Sequence, residues 1–139
     1  MHTISADKGF TLVEVVIVIL VVSILAAAAV PLMQGRLDSA KWAEGKALMG
    51  SIAKALRVHV TTKGDDFLTT PTLEQLGFED KALTGTYFQG RESGDGDFTW
   101  VIHQHDPIRY TITATAPSGV RSPARMVLDQ TGEFTESPN

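Results

Sequence analysis

Apolar positions along this chain follow three different rhythms. From Phe10 to Met33 they are nearly continuous, and only Thr11, Glu14, Ser23 and Pro31 interrupt them. From residue 34 to 63 they recur every three or four positions, at Ala40, Ala43, Ala47, Leu48, Ile52, Ala55, Leu56 and His59. That spacing predicts a helix with one apolar stripe. Lys41, Glu44, Lys46, Lys54 and Arg57 fall mainly off the stripe, and Thr61-Thr62-Lys63-Gly64 suits a stop. No loop signal separates the two stretches apart from Pro31, which removes one helical hydrogen bond and clashes with the carbonyl four residues back. One long helix with a bend near Pro31 is expected. Beyond residue 64 the rhythm changes to two. Phe98, Trp100 and Ile102 alternate with polar neighbours, and Ile108, Tyr110, Ile112, Ala114 and Ala116 alternate with Arg109 and three threonines. Ala124 to Leu128 reads as a third strand, and Glu133-Phe134-Thr135 as a returning arm after the turn Asp129-Gln130-Thr131-Gly132. Asp106-Pro107 suits the turn between the first two strands. Thr70 to Gly77 reads as a short helix, with Thr72 and Gln75 as a capping box and Gly77 as terminator.

The fold class expected is α+β: a long, bent N-terminal helix packed by its stripe against a small antiparallel sheet. The first helical stretch sets the setting. Phe10 to Val30 spans about 31 Å in helix, at roughly 1.5 Å per residue, which matches a hydrocarbon core about 30 Å thick. The rest of a 139-residue chain is too small to bury such a helix on all sides.

Composition narrows the chemistry. There is no cysteine, hence no disulfide, thiol nucleophile or cysteine-based metal site. The net charge of −4 argues against nucleic acid as the main partner. Charge is also segregated: residues 36–63 hold six basic and two acidic groups, whereas residues 64–139 hold five and twelve.

A glutamate near the start of a membrane-length apolar block needs an explanation, because a carboxylate at the centre of such a helix costs about 2.5–3.5 kcal/mol on insertion scales and less near the interface. Glu14 either reaches the headgroups or awaits a buried positive partner. Lys8-Gly9-Phe10-Thr11-Leu12-Val13-Glu14 resembles the processing site of type IV prepilins and type II secretion prepseudopilins. The resemblance implies cleavage between Gly9 and Phe10 by a membrane aspartyl prepilin peptidase, and N-methylation of Phe10. Glu14 matches the family's fifth-residue glutamate, and Pro31 its helix-breaking proline after a run of alanines. It further implies four parts: a leader (1–9), a membrane and filament-core helix (10–33), an amphipathic helix half (34–63) and a head (64–139).

The implied function is that of a structural filament subunit of a type IV pilus or type II secretion pseudopilus, not an enzyme. The implied partners are the peptidase, copies of itself or related pilins, an inner-membrane assembly platform with its ATPase, and the membrane. A single-pass precursor in the bacterial inner membrane would become a periplasmic or extracellular filament. The cysteine-free C-terminus departs from pilins with a stapled C-terminal loop, and the calcium-loop pattern of major pseudopilins is not matched. No cofactor is expected. Rival readings are a monomeric membrane-anchored binding domain, and a secreted hydrolase whose cleavage follows Ala27-Ala28-Ala29.

Other chemistry is sparser. Glu92 and Ser93-Gly94-Asp95-Gly96-Asp97 form an acidic glycine loop in which Asp95 and Asp97 are candidate calcium ligands. His103 and His105 lie two apart, as a metal pair on one strand face would. His59 is expected under the head, and no glycine elbow surrounds a serine. Trp100, Tyr110, Phe78 and Phe98 are expected in the core, Tyr87-Phe88 at a filament surface, and Trp42 against either the head or a neighbouring subunit.

Overall fold

The computed structural model describes residues 9–63, 70–79, 82–90 and 97–137. The leader up to residue 8 and the part of the acidic loop holding Asp95 lie outside the described residues. Helix α1 runs from Leu12 to Lys63. Four strands follow: β1 (Phe98–His105), β2 (Ile108–Thr115), β3 (Arg125–Asp129) and β4 (Phe134–Ser137). They form one antiparallel meander in the order β1-β2-β3-β4. The three expected strands and the returning arm are all present, with ends shifted by a residue or two.

The chain divides into two compact units, Met1–Arg36 and Leu37–Asn139. In the first, helix passes through Pro31 without a break. Its large apolar side chains from Phe10 to Met33 are 47–83% exposed, so nothing among the described residues covers them. This stretch is long and apolar enough to cross a membrane.

In the second unit, α1 and the sheet share one core. Met49, Ile52, Ala53 and Leu56 of the helix pack with Phe98, Tyr110, Ile112, Ala114, Met126 and Leu128 of the sheet. The alternation of buried and open positions in β2 is the one its sequence dictates. The helical stripe is as expected at Ile52, Leu56 and His59, which are buried, and at Leu48 and Ala55, which are half-buried, but its first part is rotated. Its buried line is Asp38, Trp42, Gly45, Met49, Ile52, Ala53, Leu56, His59 and Val60. Ala40, Ala43 and Ala47 are exposed. Two bulky groups decide the rotation, since they have far more surface to bury than alanine methyls. Trp42 is buried against the head, with its Nε1–H donating to the Pro123 carbonyl at 3.1 Å. Phe88 sits 5.1 Å from the Trp42 ring and 5.6 Å from the Phe98 ring. Phe88 is therefore core, and only Tyr87 of the expected surface pair is exposed. Gly45 is on the buried line because a Cβ there would come within 2.8 Å of the Phe88 ring.

The short helix expected at Thr70–Gly77 is a single closed turn instead. Thr72 and Gln75 do form the capping box, with N–H to side-chain oxygen distances of 3.0 and 3.3 Å. But Phe78 N–H already bonds to the Leu73 carbonyl and Gly77 N–H to that of Glu74, which is the Schellman closure. Gly77, at φ 82°, ends the turn before a second one can form.

Trp100 and Phe78 pack at the edge of the core, while Phe98 and Tyr110 are fully inside it. The Tyr110 hydroxyl is buried with no hydrogen-bond partner among the described residues, below the Arg57 guanidinium at 5.9 Å from the ring centroid. Tyr110→Phe removes an unsatisfied polar atom and keeps the ring. It should leave stability unchanged or raise it by about 1 kcal/mol, measured by denaturant unfolding of the full chain in detergent. A loss of similar size would show that the hydroxyl is engaged.

Candidate functional site

The N-terminal segment is organised by three hydrogen bonds. Thr11 precedes the first helical residue, Leu12. Its hydroxyl accepts from the Glu14 N–H at 3.3 Å. In return, Glu14 Oε2 accepts from the Thr11 N–H at 3.0 Å and from the Thr11 hydroxyl at 2.8 Å. This is a reciprocal capping box. It satisfies two of the donors that a helix start leaves open, in a stretch that has no water to supply partners once inside lipid or a helix bundle. Gly9 and Phe10 lie just outside the helix and are exposed.

Ser23 is handled in the same way, its hydroxyl donating to the Ile19 carbonyl at 2.6 Å. Each polar side chain in the apolar block thus has a partner on its own helix, and no unpaired hydroxyl burdens an otherwise apolar rod. Glu14 remains distinctive. Both Thr11 donors converge on Oε2, so Oε1 has no bonded partner among the described residues. The Thr11 partnership was missing from the sequence reading, although Thr-x-x-Glu before an apolar run is its usual signature.

The remaining candidates go to structural work. Asp97 Oδ2 accepts the Gln89 N–H at 2.7 Å, and Asp97 N–H donates to the Gln89 carbonyl. Its carboxylate anchors the chain entering β1. Asp95 cannot be placed beside it, being outside the described residues. The β1–β2 pairing shifts register between Ile102 and Gln104. His103 Nε2 lies 2.9 Å from the Thr111 hydroxyl, and the side chain of His105 lies outside the described ones. His59 is buried, as expected under the head.

Two acids on α1 hold loops. Asp38 is buried and accepts the Arg121 N–H at 3.1 Å. Glu44 accepts three backbone N–H groups, from Thr86 at 3.0 Å, Tyr87 at 2.8 Å and Phe88 at 2.9 Å. Partial desolvation raises the Glu44 pKa, but these three bonds together outweigh it and leave the carboxyl below its ordinary value. In the β3–β4 turn, Asp129 Oδ1 accepts from the Thr131 hydroxyl and from the N–H groups of Thr131 and Glu133. The Thr131 hydroxyl is the main reason its pKa is lowered, against a smaller desolvation effect, with the backbone donors adding to it. No sequence motif marks the Asp38 or Glu44 contacts, because their partners are backbone groups more than 40 residues away.

No solved structure matches the chain. Residues 4–30 match the family model described as the prokaryotic N-terminal methylation motif. That stretch contains Gly9, Phe10, Thr11 and Glu14 and most of the uncovered apolar helix. The chain therefore carries, ahead of a pilin-like α+β architecture, the N-terminal methylation motif that is the hallmark of the type IV pilin and pseudopilin family.

Proposed function

We propose that this chain is a structural subunit of a type IV filament, either a pilus or a type II secretion pseudopilus. It acts as the substrate of a prepilin peptidase and has no catalytic role of its own. The observation that carries the reading is the pairing of a methylation motif with an apolar helix that nothing among the described residues covers. In the precursor that helix spans the inner membrane. Cleavage after Gly9 frees the Phe10 amine, which is methylated and stays cationic. An assembly platform and its ATPase then move the helix from lipid into a bundle of copies, building a filament in the periplasm or beyond the cell.

Glu14 supplies the register. Its Oε2 is committed to Thr11, and Oε1 faces the incoming Phe10 amine of a neighbouring copy. The pair holds position more than it adds net stability. A copy out of register leaves a buried unpaired charge, which costs several kcal/mol. Ala26 to Ala29 let helices approach closely, and Pro31 gives the anchor a point at which to bend during packing.

The test is the intact mass and N-terminal sequence of the protein extracted from membranes of its host. Loss of Met1–Gly9 with one methyl on Phe10 is expected. An intact leader would favour a monomeric anchored domain, and a terminus near Ala28–Val30 ordinary secretion.

A further inference from the structure

Tyr110 carries a cost that the fold does not explain. Its side chain is fully buried, and its hydroxyl has no hydrogen-bond partner among the described residues. Buried polar groups are nearly always paired, with protein, water or a bound molecule. Tyr110 also lines a cavity of about 340 Å³ between α1 and the β3–β4 hairpin. To its wall α1 supplies Gly50, Lys54 and Arg57, and the hairpin supplies Leu128 and Phe134. The volume lies at the small end of the range of ligand sites, about 300–1,000 Å³.

The polar groups on this wall are mostly donors. The Arg57 guanidinium lies 5.9 Å from the centre of the Tyr110 ring. Its Nη2 donates to the Gln130 carbonyl at 2.9 Å, which leaves most of its five donors for another acceptor. Lys54 is exposed and has no bonded partner among the described residues. Asp129 is the one acid on the wall, and its Oδ1 is committed to Thr131 and Glu133. Two cations against one acid leave a single net positive charge. Gly50 adds an independent sign. Glycine weakens a helix interior relative to alanine, yet a Cβ at Gly50 would meet no atom within 4 Å. Packing inside the chain therefore does not require glycine there, whereas a close approach from outside does.

We propose that this cavity binds a small amphipathic carboxylate. Its charge pairs with Arg57 and Lys54, the Tyr110 hydroxyl adds a third donor, and its apolar body lies against Leu128 and the Phe134 ring. The fork of Arg57 suits a carboxylate in two-point contact, and one net positive charge suits a monoanion better than a phosphate dianion. A molecule held there ties α1 to the β3–β4 hairpin and so stabilises the second unit.

The chain has two tyrosines. Isotope-labelled tyrosine in the full chain in detergent therefore gives two sets of ring signals, which Tyr110→Phe assigns. The probe is phenylpropionate, with phenylpropionamide as its uncharged match and inorganic phosphate as a bare anion. Phenylpropionate should shift the Tyr110 signal saturably and leave that of Tyr87 in place, while the amide and phosphate should move neither. Lys54→Gln should weaken binding about tenfold, and Lys54→Arg should restore it. Gly50→Leu puts a side chain into the open space, so it should abolish binding while the thermal midpoint holds or rises. Lys54 and Gly50 also line a second cavity, bounded by residues 75–78, and the Tyr110 signal tells the two apart. A Tyr110 signal that phenylpropionate does not move overturns the proposal. So does an equal shift with the amide, or a shift that survives both Lys54→Gln and Gly50→Leu in folded protein.

Discussion

Glu14→Ala is expected to leave the chain inserted in the membrane and to abolish filaments. Insertion depends on the apolar run from Phe10 to Met33, and removing a carboxylate from it makes insertion easier. Assembly loses two things. The first is the return bond to the Thr11 N–H, a cap worth about 1 kcal/mol. The second is the acceptor proposed for a neighbour's Phe10 amine, whose loss would leave that cation without a partner in an apolar bundle at a cost of several kcal/mol. Repeated at every subunit, the second loss should reduce sheared filaments below detection while the membrane fraction still holds full amounts of protein. Glu14→Gln divides the two effects. It keeps an oxygen for Thr11 and removes the charge, so it should assemble as poorly as the alanine variant. Normal filaments from Glu14→Gln would mean that capping alone is what assembly needs, and normal filaments from Glu14→Ala would remove Glu14 from assembly altogether.

The sequence was informative wherever a single local rule decided the outcome. The membrane-length helix, the alternation in β2 and the Thr72–Gln75 box each rest on spacing within a few residues, and each is present in the structure. The methylation motif is of the same kind, because it depends on residue types in strict local order. What could not be read depends on distant partners. Apolar spacing finds the buried Ile52, Leu56 and His59 of the helical stripe but also points to Ala40, Ala43 and Ala47, which are exposed, because it cannot weigh one methyl against an indole. Only the arrival of Phe88 over Gly45 and of Pro123 at the Trp42 ring nitrogen turns the helix to its actual face. The register shift between Ile102 and Gln104 in β1 is likewise not encoded in the pattern of residues. Glu44 falls off the apolar stripe and nothing in the spacing marks Asp38, yet both are acceptors for loop backbone. The acidic balance of the head and the basic balance of the helix are real. In the structure, though, four acids (Asp38, Glu44, Asp97 and Asp129) bond to backbone N–H groups. Lys41 and Arg57 turn to carbonyls, and Lys46 to the Phe134 ring. Of these, the contacts of Asp38, Glu44, Lys41 and Arg57 join helix to head through backbone groups, and they seat loops at defined positions.

Glu44→Ala should be the most damaging single substitution of a polar residue in the second unit. Three N–H groups lose their acceptor at once, and one of them, that of Phe88, belongs to a residue whose side chain is fully buried. Water can replace the carboxylate at Thr86 and Tyr87, which are exposed. The cost therefore falls short of three charged hydrogen bonds, at about 2–3 kcal/mol in denaturant unfolding of the full chain in detergent. Loosening residues 86–88 also frees the Phe88 ring from its place over Gly45 and beside Trp42, so near-ultraviolet circular dichroism of the tryptophans should weaken before the helix signal does. The pH dependence carries a sign that a packing effect would not. The Glu44 pKa is below its ordinary value in the folded chain, because the backbone bonds outweigh desolvation. Its stabilisation is therefore present in full above the unfolded pKa of about 4.3. It disappears as the pH falls through the lower folded value, where the carboxyl takes up a proton. Asp129 is shifted in the same direction and remains in both proteins, so its contribution cancels in the comparison. The gap in stability between the native chain and Glu44→Ala should be widest near neutral pH and should shrink in acid. A gap that stays constant down to the acid limit would show that the three bonds do not depend on the charge of Glu44, and that its contribution is packing alone.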